Sequence, residues 1–370
     1  MKLLQQIFSI KNEKYHKIIR IFGFKIKIKS KIDKILHQLN NIDEQTALYK
    51  IALDQIEELR CQLQGILRLK RHHNDSTTRD KLSLYEHQTN VENLLKNLDN
   101  QAKNNCLKIL NRLDRLYYAN TVLVTDLYSK EELKQIDDCR HFKKKTKYNG
   151  KYWENGGYKL PIDFYEPSVF YYRNGCIAIK NKEKINSKTI IDVGSYIADS
   201  CLVFREEFPN SPIISFEASK VNYEMGLKTL ELNNLEDVII ENLGLGDKEE
   251  MLSMSAEGCG GNAIIPLNNI NCTKIITLDN YVEKNNIKNI GLIKVDIEGF
   301  EQKFLKGAHR TICEQKPTML VSIYHNYDDF FKIKPMIESW NLGYKFDFFH
   351  GALENTAEDE ILLICEPKEK

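Results

Sequence analysis

The chain has 370 residues, and its 53 Lys and Arg residues almost balance its 52 Asp and Glu residues, giving a formal net charge of +1. A hydrophobic core rarely grows past about 250 to 300 residues before a chain divides, so at least two parts are expected. The balanced charge excludes a general attraction to nucleic acid. The nine scattered cysteines contain no Cys-x-x-Cys pair, which argues against a disulfide framework and a zinc ribbon.

The sequence also bears on location. None of its apolar runs approaches the roughly 18 to 20 residues that cross a bilayer. Its start lacks the apolar stretch and small-residue cleavage site of a secretory signal. Together with the scattered cysteines, these features predict a cytoplasmic protein.

Residues 1–30 form a basic amphipathic leader, in which eight Lys and Arg residues face the single acid Glu13 and are interleaved with Ile and Phe. One interpretation places this segment on an anionic membrane surface, as a peripheral contact at the inner face. The other packs it on the body of the protein, with its lysines in water. The alternation of apolar residues and Lys over residues 24–29 predicts an extended segment.

Residues 31–120 are predicted to be helical and coiled-coil-like. A heptad pattern of apolar residues runs over residues 32–63, and a second helical pattern follows from Val91 to Leu116. The stripes fit either an intramolecular bundle or a homo-oligomer formed through a coiled coil, and we favour the homo-oligomer. Residues 121–185 are a connecting region, in which residues 169–172 and 176–179 are expected to form a β-hairpin.

Residues 186–370 alternate short apolar runs with longer amphipathic segments, which is typical of a parallel sheet covered by helices. Strands are predicted at residues 189–193, 212–216, 238–241, 292–295, 318–323, 344–349 and 360–365. Seven strands, with helices between the first five and two consecutive strands at the end, predict an α/β fold. The expected architecture is the Rossmann-like sheet of class I methyltransferases, with its last strand antiparallel.

The first of these strands ends in Asp192, Val193 and Gly194, and the chain continues through Ser195 and Tyr196 into a helix. A glycine at such a turn lets the backbone approach a ligand at the carboxyl edge of the sheet. The strict dinucleotide fingerprint is missing, and a carboxylate at position 192 would repel a pyrophosphate. S-adenosylmethionine is cationic and lacks phosphate, so the candidates to bind it are Asp192, Gly194, Ser195 and Tyr196, although Asp-x-Gly also occurs in structural turns.

The second strand ends about twenty residues further on, where Glu217 and Ala218 follow it. An acid at this distance from the glycine turn can accept hydrogen bonds from both hydroxyls of a ribose. Both residues are therefore candidates for cofactor binding. The same stretch is also suited to begin a helix, with Ser219 as its N-cap.

A third acidic strand end carries Asp296 and Glu298. Three ordered motifs lie in this part of the chain: Lys-Val-Asp-Ile-Glu-Gly-Phe-Glu at residues 294–301, Leu-Lys-Gly-Ala at 305–308 and Ser-Ile-Tyr-His at 322–325. Together they resemble the FkbM-type methyltransferase family. The resemblance covers roughly residues 166–365 and leaves the N-terminal third unexplained. The family commonly has a glycine where Ala198 stands.

This resemblance implies an S-adenosylmethionine-dependent O-methyltransferase. Relatives with a basic, Ile-rich leader look like enzymes that modify bacterial surface polysaccharides. The expected acceptor is therefore a small molecule or glycan, specifically a sugar hydroxyl in capsule or lipopolysaccharide biosynthesis.

Methyl transfer to oxygen requires alignment of the reacting atoms and removal of the hydroxyl proton. His325 is the first candidate for the general base because its ordinary pKa near about 6.5 keeps it neutral at cytoplasmic pH. Asp296 is expected beside the methyl group and is the alternative base. A divalent metal on Asp296 and Glu298 is a further alternative, since two carboxylates at one strand end can bind Mg²⁺.

Two other classes of function remain open. The chain would be a non-catalytic assembly protein if its function is assembly through the coiled coil and the sheet domain is a degenerate methyltransferase. An NAD-dependent enzyme is disfavoured by the acid at position 192.

Overall fold

The computed structural model describes residues 8–13, 16–21, 24–27, 88–118, 127–254, 264–265, 272–353 and 358–368. Contacts divide the chain into two units, residues 1–71 and residues 72–370. In the first unit, strands β1 (Phe8–Glu13), β2 (His16–Ile21) and β3 (Phe24–Lys27) pair in antiparallel order. The extended backbone predicted for residues 24–29 is confirmed over Phe24–Lys27, whereas contact with a membrane stays a prediction.

The second unit contains ten α-helices among its described residues. In chain order they are α1 (Gln88–Leu95), α2 (Asn100–Tyr118), α3 (Lys130–Lys143), α4 (Pro167–Phe170), α5 (Asp199–Glu207), α6 (Lys220–Leu232), α7 (Leu278–Lys284), α8 (Glu301–Gly307), α9 (His309–Gln315) and α10 (Tyr327–Ser339). Two short 3-10 helices span Arg173–Ala178 and Lys182–Lys184.

The strands of the second unit complete the inventory. They are β4 (Lys147–Tyr148), β5 (Trp153–Asn155), β6 (Tyr158–Leu160), β7 (Thr189–Val193), β8 (Ile213–Phe216), β9 (Val238–Glu241), β10 (Gly244–Leu245), β11 (Glu250–Met254), β12 (Ile264–Ile265), β13 (Cys272–Ile276), β14 (Ile290–Val295), β15 (Thr318–Ser322), β16 (Tyr344–His350) and β17 (Ile361–Pro367).

A seven-stranded sheet in the order β16-β17-β15-β14-β7-β8-β9 forms the centre of this unit. Strand β17 runs antiparallel to both of its neighbours, and the other pairs in the sheet are parallel. The predicted class I methyltransferase sheet, with its last strand antiparallel, is confirmed. Strand β7 is almost entirely buried, as expected for a parallel strand covered on both faces. A smaller sheet, β10-β13-β11-β12, lies beyond β9 in the chain.

The helical N-terminal region is described only in part. The heptad residues 32–63 lie outside the described residues, so the coiled coil and the homo-oligomer stay predictions. The second predicted helical pattern appears as α1 and α2, separated by a turn at Asn97, whose φ is 58°. Helix α2 packs on strand β16 and α1 packs on α10. The apolar stripe of α2 is therefore covered by the same chain, with Ala102 and Cys106 fully buried.

The β-hairpin predicted for residues 169–179 is wrong. Helix α4 and the 3-10 helix Arg173–Ala178 occupy this stretch instead. Pro167 at the first helical position has a φ suited to a helix and no N–H to lose, so it favours helix initiation over a strand. The chain then turns through Asn174 and Gly175 in left-handed conformations, with φ of 52° and 78°. This turn places Asn174 at the carboxyl edge of the central sheet, where it lines a small pocket together with Phe349 and Glu360.

The described helices also bear on whether the chain crosses a membrane. None of the helices in that part of the chain combines the length and apolar character needed to cross a bilayer.

Candidate functional site

A cleft opens at the carboxyl ends of β7, β8 and β14, with the smaller sheet on its other side. Its empty volume is about 690 Å³, open solvent included. The lining residues are Val193, Gly194, Tyr196, Phe216, Glu217, Ala218, Asn222, Leu243, Gly244, Leu245, Ile275, Asp296, Ile297, Glu298 and Phe300. Three of the predicted strand ends therefore meet at one cleft. Ligands of open α/β sheets bind at this edge of the sheet.

Gly194 follows the end of β7 and lies beside Asp296, which follows the end of β14. Its φ is 81°, and a β-carbon at this position would stand 1.8 Å from the carbonyl oxygen of Asp296. Its N–H donates to the carbonyl of Phe216 at 3.0 Å. Any side chain would therefore displace the turn that forms the floor of the cleft.

Glu217 is the acid on the β8 side of the cleft. Its carboxylate accepts the backbone N–H of Tyr196 at 2.8 Å and that of Ser219 at 2.7 Å. Burial raises the pKa of Glu217 to about 7, against the lowering effect of these two hydrogen bonds. Each carboxylate oxygen has a second lone pair, so Glu217 retains acceptor capacity toward the cleft. Ser219 also caps helix α6, so the two interpretations of this stretch are compatible.

Asp192 lies beneath the glycine turn and does not line the cleft. Its side chain is fully buried and accepts hydrogen bonds from the hydroxyls of Ser200 at 2.5 Å and Ser215 at 3.1 Å. On the adjacent strand β14, Lys294 is paired with Asp192 in register, and its Nζ lies 3.5 Å from the carboxylate. The carboxylate compensates this buried lysine, and contact of Asp192 with a cofactor stays a prediction.

Lys294 connects Asp192 to the glycine turn at Gly194. Its Nζ donates to the carbonyl oxygen of Gly194 at 2.7 Å. Burial works to lower the pKa of Lys294, but the negative charges of Asp192, Asp296 and Asp199 outweigh it and raise that pKa. The lysine is therefore a buried cation that joins β7, β14 and the glycine turn.

The other predicted residues of this turn divide between the cleft and the interior. Ser195 is 1% exposed and is not among the residues that line the cleft, and its contact with a cofactor stays a prediction. Its N–H donates to the carbonyl of Phe216 at 3.1 Å. Tyr196 and Ala218 line the cleft, and their contact with a cofactor stays a prediction. Ala198 has a left-handed φ of 59°, which explains why a glycine suits this position.

His325 is surrounded by carboxylates at the end of β15. Its Nδ1 lies 3.0 Å from an oxygen of Glu301, and its Nε2 lies 3.3 Å from Asp296 and 3.5 Å from Glu298. Burial works to lower the pKa of His325, but the contact with Glu301 and the nearby acids raise it to about 9. These acids favour the protonated form of the ring, and the role of His325 as the general base stays a prediction.

The same cluster is relevant to metal binding. Asp296, Glu301 and His325 offer ligand atoms within 4.8 Å of one another. The same acids also favour the protonated form of the imidazole, which then pairs with them. The arrangement is best described as an ion-pair cluster that fixes Asp296. Binding of a metal by Asp296 and Glu298 stays a prediction.

Lys294, Glu301 and Asn222 contribute to the site without having been singled out from the sequence. Lys294 carried a signal, because a lysine inside an otherwise apolar strand requires a buried partner. Glu301 is fully buried and also accepts the N–H of Ile297 at 2.9 Å. Asn222 faces the cleft from the first turn of α6, and nothing in its sequence context distinguishes it.

Comparison with known proteins identifies the relatives of this region. Residues 192–350 match the family described as the methyltransferase FkbM domain. Over 211 residues the chain is 21% identical to "Methyltransferase 1" of Beauveria bassiana (strain ARSEF 2860), a match that covers 50% of this chain and 83% of that protein.

Two solved structures are also similar. A methyltransferase FkbM from Methylobacillus flagellatus KT aligns with a TM-score of 0.47 and 16% identity, covering 76% of this chain and 59% of that chain. An O-methyltransferase from Bacillus cereus, solved in complex with SAH, aligns with a TM-score of 0.34 and 11% identity, covering 56% of this chain and 84% of that one. The chain thus spans less than two-thirds of the first of these structures.

Proposed function

We propose that this chain, which carries a methyltransferase FkbM domain over residues 192–350, uses S-adenosylmethionine to methylate a hydroxyl oxygen of a sugar. The main supporting observation is the cleft at the ends of β7, β8 and β14. There the Gly194 turn, which leaves no room for a β-carbon, adjoins Glu217 on the next strand. An acid beside such a turn suits the two hydroxyls of a ribose.

The chemistry of the lining fits this cofactor. Among the described lining residues, the charged ones are Glu217, Asp296 and Glu298, all of them acidic. S-adenosylmethionine carries a methyl group on a cationic sulfur, and acids favour a cation. The pyrophosphate of NAD would meet repulsion here. Leu245, Ile275 and other apolar residues offer a surface for a nucleobase.

The side chains of the protein would contribute mainly by positioning the acceptor oxygen. Asp296 is held by its backbone N–H, which donates to Val193 at 2.9 Å, and by His325 on its side chain. Tyr324 donates its hydroxyl to the same carboxylate at 3.4 Å. A group fixed from three sides can align an acceptor oxygen, and such alignment supplies several kcal/mol of a barrier, about 7 or more in favourable cases.

Isothermal titration with S-adenosylhomocysteine tests the cofactor assignment. We expect saturable binding that weakens in Glu217→Gln, with Glu224→Gln on the following helix as the control. If the wild-type protein gives no binding heat at high micromolar ligand, the proposal fails. The assembly-protein alternative, in which a coiled coil acts and the sheet domain is degenerate, would then be favoured.

The acceptor class and the setting of the reaction are the finer part of the proposal. We assign the sugar to a bacterial surface polysaccharide, capsule or lipopolysaccharide, on the basis of the basic, Ile-rich leader. A dimer formed through residues 32–63 and contact of residues 1–30 with an anionic membrane belong to the same proposal. Sedimentation of the full chain, with and without anionic vesicles, tests both parts. A chain that sediments as a monomer would refute the dimer, and one that does not bind the vesicles would refute the membrane contact.

A further inference from the structure

A basic surface lies on the small antiparallel sheet β4-β5-β6, outside the lining of the cofactor cleft. Residues 140–159 contain seven Lys and Arg residues and one acid, Glu154, although the whole chain has a formal net charge of only +1. We name the exposed and half-buried part of this region the lysine-tyrosine surface. Its members are Lys145, Lys147, Tyr148, Lys151, Tyr152, Glu154 and Lys159.

The strand register sorts the charges and rings of this surface. Lys147, Glu154 and Lys159 lie opposite one another on the three strands, so they share one face of the sheet. Tyr148 and Trp153 share the other face, where their ring centroids are 5.0 Å apart and Tyr148 is 56% exposed. Aromatic side chains are usually more buried than this. The Tyr148 ring is therefore an exposed apolar face beside the lysines.

Hydrogen bonds hold the backbone of this surface in place. In the turn between β4 and β5, the Asn149 side chain accepts the N–H groups of Lys151 and Tyr152, both at 3.0 Å. The Asn155 amide is 2% exposed and donates to the carbonyl of Phe142 at 2.8 Å, which fixes the sheet to the end of α3. The lysines are thus carried by an ordered backbone, so a partner that binds them loses little free energy in ordering it.

The charges of the lysine-tyrosine surface favour a polyanion that also carries hydroxyl groups. Glu154 stands between Lys147 and Lys159, where it can accept hydrogen bonds from hydroxyls. The same carboxylate would repel phosphates spaced as closely as those of a nucleic acid. All the cations of this surface are lysines, whereas bidentate recognition of phosphate is the usual role of Arg. A polysaccharide with spaced carboxylates matches both features.

The exposed ring favours the same class of ligand. An aromatic face can pack on the C–H groups of a sugar ring while the hydroxyls at the rim of that sugar keep their hydrogen bonds. Binding into a membrane interface requires several apolar side chains. Within residues 140–159, all of which the structure describes, Tyr148 is the one exposed large hydrophobic residue. An acidic glycan therefore fits this surface better than a lipid surface does.

A short segment connects this surface to the cofactor cleft. Leu160 ends β6 and Phe164 comes four residues later, which limits their separation to about 14 Å. The Phe164 ring meets that of Tyr196 edge to face, with centroids 5.0 Å apart, and Tyr196 lines the cleft. A polymer held on the lysine-tyrosine surface can therefore extend to the cleft.

We propose that the lysine-tyrosine surface binds a polysaccharide chain that carries carboxylate groups, and that it holds this chain beside the cleft as the acceptor. This inference deepens the proposed function and rests on it. The lysines pair with the carboxylates, Tyr148 packs on a sugar ring and Glu154 accepts hydrogen bonds from hydroxyls. The hydroxyl that receives the methyl group belongs to another sugar of the same chain.

The test measures binding of oligogalacturonate, an acidic probe, to the full chain by isothermal titration, with a neutral dextran oligomer of the same length as the reference. We expect the dextran to bind about tenfold more weakly or less, and the difference to shrink as salt is raised. Lys147→Ala combined with Lys151→Ala should lower the affinity for oligogalacturonate about tenfold at low salt. Lys228→Ala combined with Lys345→Ala, which removes two exposed lysines elsewhere, should leave it unchanged.

Tyr148→Ala should lower the affinity severalfold at low and high salt alike, because the contact that it removes is apolar. All variants should bind S-adenosylhomocysteine like the wild type, which shows that they are folded. Wild-type protein that binds S-adenosylhomocysteine but not oligogalacturonate would overturn the inference, and so would equal affinities in the lysine variant and its control. Tighter binding of single-stranded poly(U) or of anionic vesicles, lost in the same lysine variant, would overturn the glycan assignment. If S-adenosylhomocysteine does not bind, the proposed function fails whatever the glycan result, so the two failures are distinguishable.

Discussion

Replacing His325 by glutamine provides a quantitative test of the ion-pair cluster. The pKa of His325 is raised from 6.5 to about 9 in the folded protein. At about 1.4 kcal/mol for each pKa unit, this difference corresponds to roughly 3 kcal/mol of stability. The side chain is 8% exposed, so solvent screening reduces this figure little. Because the folded pKa is the higher one, the contribution is fully present below about pH 6.5 and is lost as the pH rises through about 9.

The assay is urea unfolding of the wild type and of His325→Gln at pH 6 and at pH 10. We expect the free energies of unfolding to differ by about 3 kcal/mol more at pH 6 than at pH 10. Glu217, Glu298 and Glu360 also titrate in this range, so the difference between the two proteins is the relevant quantity. His141→Gln on the surface of α3, where the ring is 63% exposed, is the control. A gap that stays constant between the two pH values would refute the cluster as described.

Three further changes test the cleft. Gly194→Ala should abolish S-adenosylhomocysteine binding and lower the melting temperature, since the added carbon meets the Asp296 carbonyl at 1.8 Å. Gly157→Ala, at an equally left-handed but open position, should cost only about 1 to 2 kcal/mol of backbone strain in urea unfolding. Glu217→Gln should weaken S-adenosylhomocysteine binding about tenfold in calorimetry, as expected for loss of a charged hydrogen-bond partner. Lys294→Met should cost about 3 kcal/mol or more in urea unfolding, because the buried carboxylate opposite loses its cation.

The central sheet was predictable because buried parallel strands are continuous apolar runs, and such runs need no knowledge of their neighbours. Each of the seven predicted strands overlaps an observed one, and the carboxyl edge that gathers Glu217 and Asp296 follows from the parallel order. The hairpin before the sheet failed because its β-branched and aromatic residues suggested strands. A single proline at a helix start carried the contrary signal.

The roles of individual acids were harder to predict, because they depend on which residue faces them across strands. Asp192 has the sequence context of a cofactor contact, yet in the structure its carboxylate pairs with Lys294, which lies opposite it on β14. His325 has an ordinary sequence context, yet the turn between β14 and α8 brings three acids around it. Glu360 was predicted only as the start of a strand. Its place beside Asn174 depends on the turn that replaced the hairpin.

The packing of α1 and α2 has a practical consequence for anyone producing this protein. Leu94, Ala102 and Cys106 are completely buried, and Asn105 donates to Asp347 of β16 at 2.8 Å. An expression fragment that began at residue 192 would expose the face of β16 that α2 covers and would promote aggregation. Fragments intended for crystallisation should therefore start upstream of Gln88.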